Sequence, residues 1–172
     1  MTHQFTTSYV ADALAIYRQY KSWGEAAIAQ VGDEHLTVTL DPESNSIATI
    51  VKHVSGNLRS RWTDFLTTDG EKPDRNRDGE FESPPVTRAE LLEMWERGWE
   101  CLFSALEALT DAELAHTIYI RKQPHSVMQA INRNLTHTAS HVGQIILLAK
   151  HFQSDRWKTL TMPRRKPAVL QD

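Results

Sequence analysis

Apolar residues return at helical spacing along four long stretches of this chain, and nothing else in it limits the fold as tightly. The clearest stretch follows Pro84-Pro85. There Leu91, Leu92, Trp95, Trp99, Leu102, Phe103, Leu106 and Leu109 gather on one side of a helical period. It opens on Thr87-Arg88-Ala89-Glu90, a capping box in which the Thr87 side chain accepts from the Glu90 amide while Glu90 reaches back. The last stretch opens the same way, on Ser126-Val127-Met128-Gln129, and continues to about Phe152. The first runs from about Phe5 to Val31. Another runs from Ser46 to Leu66, after a turn at Asp41-Pro42, with Asn45 or Ser46 as its cap. The β-branched and aromatic run His116-Thr117-Ile118-Tyr119-Ile120 reads as one arm of a short hairpin before the last helix. These signals predict an all-α four-helix bundle carrying that small hairpin.

A chain of 172 residues favours one domain, here taken as 1–172 with 153–172 as a C-terminal tail. With 19 basic and 22 acidic residues, no global positive charge calls for a nucleic acid. Cys101 is the single cysteine, so neither an internal disulfide nor a cysteine metal cluster can form. It sits among apolar residues and reads as core. The first residues lack a basic region followed by an apolar run, and no stretch approaches the length of a membrane span. The expectation is a cytoplasmic protein with no membrane contact.

One connection is long. Residues 67–85, "TTDGEKPDRNRDGEFESPP", are charged and rich in Gly and Pro. A loop of that length in a compact domain is either functional or mobile. As a charge run it reads most simply as a solvated surface, with a lid over a site as the sharper alternative.

Eight histidines are the compositional excess. His137 and His141 are four apart on the last helix, so both rings leave one face, to one side of the stripe Val127, Ile131, Leu135, Thr138, Val142, Ile145 and Ala149. Chance alone readily produces such a pair. The second helix supplies more. Beside its stripe of Ile47, Ile50, Val51, Val54, Leu58, Trp62 and Phe65, His53 and Asn57 stand at a similar offset. Bundles build metal sites from inward side chains on facing helices, so His53 can complete a three-histidine site if these two helices face each other. Three neutral imidazoles suit a divalent transition metal such as Zn, Ni, Fe, Co or Mn. They leave its full charge to acidify a water or stabilise a thiolate.

"NSIATIVKHVSGNLRSRWTDFL" followed by "NRNLTHTASHVGQI" resembles the DinB-like (YfiT-type) superfamily of metal-binding four-helix bundles, over nearly the whole chain. The resemblance implies a divalent metal on His53, His137 and His141, and a homodimer. It also implies a small-molecule substrate and, by analogy with relatives that use bacillithiol or mycothiol, a low-molecular-weight thiol.

Four further residues enter as candidates near the substrate or behind the ligands. Asn57 and Gln144 lie about a turn from His53 and His141 and can hydrogen-bond a ligand or substrate, or simply pack as satisfied amides. Arg61 or Asp64 can orient an anionic substrate or a ligand, or form surface ion pairs of little energy. No general base can be named. Absent too are a phosphate-binding glycine loop, a dinucleotide fingerprint and a nucleophile elbow. The expected activity is metal-dependent thiol transfer to a small substrate, or its hydrolysis. The rival is a non-catalytic helical dimer that binds a metal or an effector.

Overall fold

The computed structural model describes residues 4–162. Four helices form its frame: α1 (Tyr9–Ile28), α2 (Ile47–Trp62), α3 (Arg88–Glu107) and α4 (Val127–Gln153). Each begins where a side chain can take an orphan amide. Ser8, Ser46, Thr87 and Ser126 accept from the backbone of Ala11, Thr49, Glu90 and Gln129, and the last two belong to complete capping boxes. Of the two caps weighed for α2, Ser46 is the one used. The outer helices are shorter at their ends than the periodicity suggests. α1 stops at Ile28, and α2 stops at Trp62 because the chain turns at Asp64, whose φ is 47°. Leu66, included in the expected helix, is exposed.

α2 packs chiefly on α3 and α1 on α4, while α2 and α4 face each other across a thinner contact. The core runs between these pairs, with Tyr17, Leu58, Trp62, Trp95, Trp99 and Leu106 almost wholly buried. Gly98 lets α3 come close to α2: a Cβ there would lie 2.8 Å from the Ser55 Cα. The apolar stripes predicted for α2 and α4 line this core, except that Leu135 is half-buried; on α3, Leu92 is exposed and Phe103 half-buried.

The expected hairpin is present as β1 (Thr117–Ile120) paired antiparallel with β2 (Gln123–Ser126), Ile118 opposite His125 and Ile120 opposite Gln123. Its two turn residues are Arg121 and Lys122, at φ 53° and 62°. A tight two-residue hairpin demands positive φ, usually from Gly or Asn. Here Asp69 compensates by accepting from both amides, at 2.8 and 2.7 Å.

One expectation needs correction. The 67–85 segment is not simply a solvated charge run. Lys52 of α2 holds it by donating to the carbonyls of Gly79 and Glu82, at 2.6 and 2.5 Å. Ser60 ties Gly70 and Lys72, and the Gly70 amide donates to Tyr119 in β1. Arg75 and Glu80 keep only 5% and 7% of their side chains exposed. Charged residues so buried need partners, and they find them in each other and in α2. The described part of the tail packs against the bundle. Gln153 ends α4, and residues beyond it turn back, with Trp157 and Leu160 on the core and Gln30 exchanging hydrogen bonds with the Lys158 backbone. The basic run after Met162 lies outside the described residues.

Candidate metal centre

The three histidines singled out by spacing meet between α2 and α4. His53 comes from the middle of α2; His137 and His141 come from successive turns of α4. One nitrogen from each lies within 4.8 Å of the others, the only such grouping of potential ligands among the described residues. The Nε2 atoms of His53 and His137 are 3.2 Å apart. Two nitrogens that each bind one metal at about 2.0–2.1 Å, at tetrahedral or octahedral angles, lie about 2.9–3.4 Å apart. The pair therefore already has ligating separation.

The surroundings choose which nitrogen each ring presents. Glu80 Oε2 accepts from His53 Nδ1 at 2.8 Å, which leaves the His53 Nε2 lone pair facing His137. Gln144 Oε1 accepts from His141 Nδ1 at 3.1 Å and leaves that ring's Nε2 free. His137 Nδ1 is buried without a partner, so its usable nitrogen is also Nε2. Lone pairs aimed at one point repel unless a proton or a cation sits among them. Burial first, then the neighbouring His141 and His53, lowers His137 to about 4. His141 is lowered too, by burial and then by His53, against a small opposing effect of Gln144. At neutral pH these rings are unprotonated, which is the form a metal takes. The donor set fits a divalent transition ion.

Glu80 is the residue the sequence did not reveal. Burial would raise its carboxyl, but the hydrogen bonds from His53 and Arg75, and the Arg75 charge, hold it below the usual range. Arg75 donates to both carboxylate oxygens, at 2.7 and 2.9 Å. Gly56 makes room: a Cβ there would stand 2.4 Å from Glu80 Oε1. Phe81 lies against the His53 ring at 4.7 Å between centroids. No sequence motif marks Glu80, because its partner is 27 residues away and its own loop reads as polar. The available hint is chemical: a buried ligating histidine needs an acceptor for its second nitrogen.

The other candidates divide. Asn57 lies by the site, but its oxygen accepts from Asn134 at 2.9 Å. Asn134 in turn accepts from Tyr17 and Trp62, so one buried amide joins α1, α2 and α4. Arg61 is 6% exposed, and its Nη1 has no partner; the surface ion pair weighed for it does not form among the described residues. Gln144 stands directly behind His141. Asp64 is not brought to the histidines. It sits exposed on the turn after α2 and lines a separate surface hollow with Thr68, Lys72 and Asp74. A cavity of about 110 Å³ opens beside His53 and His137, with Asn57, Arg61 and Asn134 on its wall.

A family described as "Protein of unknown function (DUF1572)" matches residues 4–166. No curated protein matches the chain. The crystal structure of a DinB-like protein from Bacillus cereus ATCC 10987 superposes with a TM-score of 0.65 at 13% identity, covering 86% of this chain and 94% of that one. At that identity the likeness concerns the fold, and the helical frame with its hairpin before the last helix agrees with it. The chain belongs to the DUF1572 family of proteins of unknown function, and its fold is the DinB-like helical bundle.

Proposed function

We propose that this chain is a mononuclear metalloenzyme that transfers a thiol to a small electrophilic substrate at the His53, His137 and His141 site. The observation that carries the reading is the convergence of three imidazoles, two of them oriented by Glu80 and Gln144. A divalent ion there would supply Lewis acidity. Three protein ligands are the number that catalytic sites use when they leave room for a reactant.

The chain's own residues favour thiol transfer over hydrolysis. Hydrolysis that relies on more than a metal-acidified water calls for a group that takes the water's proton. No carboxylate lines the cavity beside the histidines. Glu80 is occupied by His53 and Arg75, and the neutral amides of Asn57 and Asn134 are not bases. A thiol needs less help, since its pKa of about 8.5 falls further beside positive groups. A divalent ion held by the three histidines would be such a group. The thiol loses its proton to solvent, the thiolate sulfur bonds to the substrate's electrophilic carbon, and that carbon's bond to the leaving group breaks, the leaving group departing with the electron pair.

The test is metal content by elemental mass spectrometry on protein purified without chelator or nickel resin, beside His53→Ala and His137→Ala. About one equivalent of a transition metal in the wild type, lost in both variants with helical content kept, is the expected result. Equal metal in all three, or none after reconstitution with Zn, Ni, Mn and Fe(II), would sink the reading. Thiol-transfer assays with a model electrophile then separate transferase from hydrolase.

A further inference from the structure

The cavity beside the histidines carries an excess of positive charge that the fold itself does not use. Five arginines reach it: Arg61 from α2, Arg75 and Arg77 from the 67–85 loop, Arg121 from the hairpin turn and Arg133 from α4. They converge from four separate elements, so no single helix face explains them. No acidic residue lines the cavity. The nearby carboxylates are already engaged: Glu80 holds Arg75, and Glu71 bridges Arg75 and Arg121. Arg61, Arg77 and Arg133 form no ion pair among the described residues.

Arg61 is the most telling. Its side chain is buried, forms no hydrogen bond among the described residues, and leaves Nη1 orphaned. Unpaired buried charge is costly, so buried cations are normally found with partners. Burial first, then the charge of Arg133, lowers even this guanidinium to about 10. Arg121 is presented by a turn with positive φ at two non-glycine residues, a conformation kept only where its surroundings enforce it. Asp69 enforces it by taking both amides.

We propose that this arginine-lined cavity binds an oxyanion, a carboxylate or phosphate group carried by the small-molecule substrate, and so holds the substrate's reactive end toward the three histidines. Planar guanidinium groups match both oxyanions with paired hydrogen bonds. The volume of about 110 Å³ equals the share of roughly three to four waters. That suits an anionic end group and is well below the roughly 300 Å³ at which pockets for whole drug-sized ligands begin. The remainder of the substrate extends outward. The use of this cavity as a substrate handle rests on the metal-site reading above; its anion affinity does not.

Calorimetric titration with inorganic phosphate and with malonate, at fixed ionic strength, tests the proposal. It is run on wild type, Arg61→Met, Arg133→Gln and the outer-face control Arg97→Gln, each metal-loaded and after chelation. Wild type and the control should bind one of the two anions at millimolar concentration or tighter in both metal states. Arg61→Met should lose about tenfold or more in affinity, and Arg133→Gln should lose several-fold. The tighter of the two anions identifies the end group. Arg61→Met should melt no lower than wild type without anion, because it removes an unpaired buried charge. If that variant fails to fold, Arg133→Gln at the exposed rim carries the comparison. Equal affinity in wild type and both cavity variants, or no saturable binding of either anion, overturns the proposal. Anion binding that survives in His137→Ala while its metal is lost keeps this inference separate from the metal reading. Anion binding seen only in metal-loaded protein assigns it to the ion and overturns the arginine site.

Discussion

Glu80 shows how much depends on one side chain that spacing rules do not single out. Its carboxylate fixes the His53 tautomer on one side and neutralises Arg75 on the other. Replacing such a supporting acceptor typically costs ten- to a hundredfold in metal affinity. Glu80→Gln keeps the shape and removes the charge. It should weaken metal binding by that factor in competition with a chromophoric chelator, with helical content unchanged. It should also lower the melting temperature, because the Arg75 side chain, 5% exposed, loses its counter-charge. Unchanged affinity would mean that Glu80 serves the loop alone. His53, His137 and His141 were legible because each stands beside an apolar stripe at helical spacing. Glu80, Arg75 and Asn134 were not, since each gains its role from a partner distant in sequence.

At the scale of elements, the helix starts were the most readable features, because a cap is a local bargain between one side chain and amides two or three residues on. Ser46, Thr87 and Ser126 cap as their motifs indicate. The hairpin turn was less readable. Arg121-Lys122 is not a turn sequence by composition, and it holds because Asp69, some fifty residues earlier, accepts from it. Burial raises the Asp69 carboxyl, but the amides of Glu71, Lys122 and Arg121 lower it below its ordinary 3.8 overall. The unfolded chain therefore takes up the proton first. The stabilisation is fully present above about pH 5, and it is lost as pH falls through the ordinary value of 3.8 to the lower folded one. Asp69→Asn should melt lower by about 2–4 °C at pH 7, on the order of 1 kcal/mol after solvent screening. That gap should shrink below about pH 4 in a series of melts. A gap that stayed constant with pH would assign Asp69 a purely steric role.

The molecule as a whole separates the site from what holds the fold together. The core of Tyr17, Trp62, Trp95 and Trp99 lies among apolar neighbours and contains no ligand. The histidines sit where α2 and α4 meet across their thinner contact, at the edge of that core. On the metal-site proposal, removing the ion should leave the helices intact. Far-ultraviolet circular dichroism should be unchanged after chelation. At free metal about a hundredfold above Kd, linkage gives about 2.7 kcal/mol, so chelation should lower the melting temperature by roughly 5–11 °C. Unfolding on chelation would instead make the ion structural and favour the non-catalytic rival. No helix among the described residues is long and apolar enough to cross a membrane.

From the residues alone came the four helices, the capping boxes of the last two, the hairpin and the three histidine positions. Each of those follows from interactions within about a turn of helix or from the period of an apolar stripe, and both are written in neighbouring residues. The packing of the helices, by contrast, sets α2 against α4, which brings two separated histidine positions together. It also decided that a charged loop folds inward to seat Glu80 on His53, and that arginines from four elements share one cavity. Those outcomes depend on how the helices pack and on which buried charge finds which partner, and no local pattern encodes either.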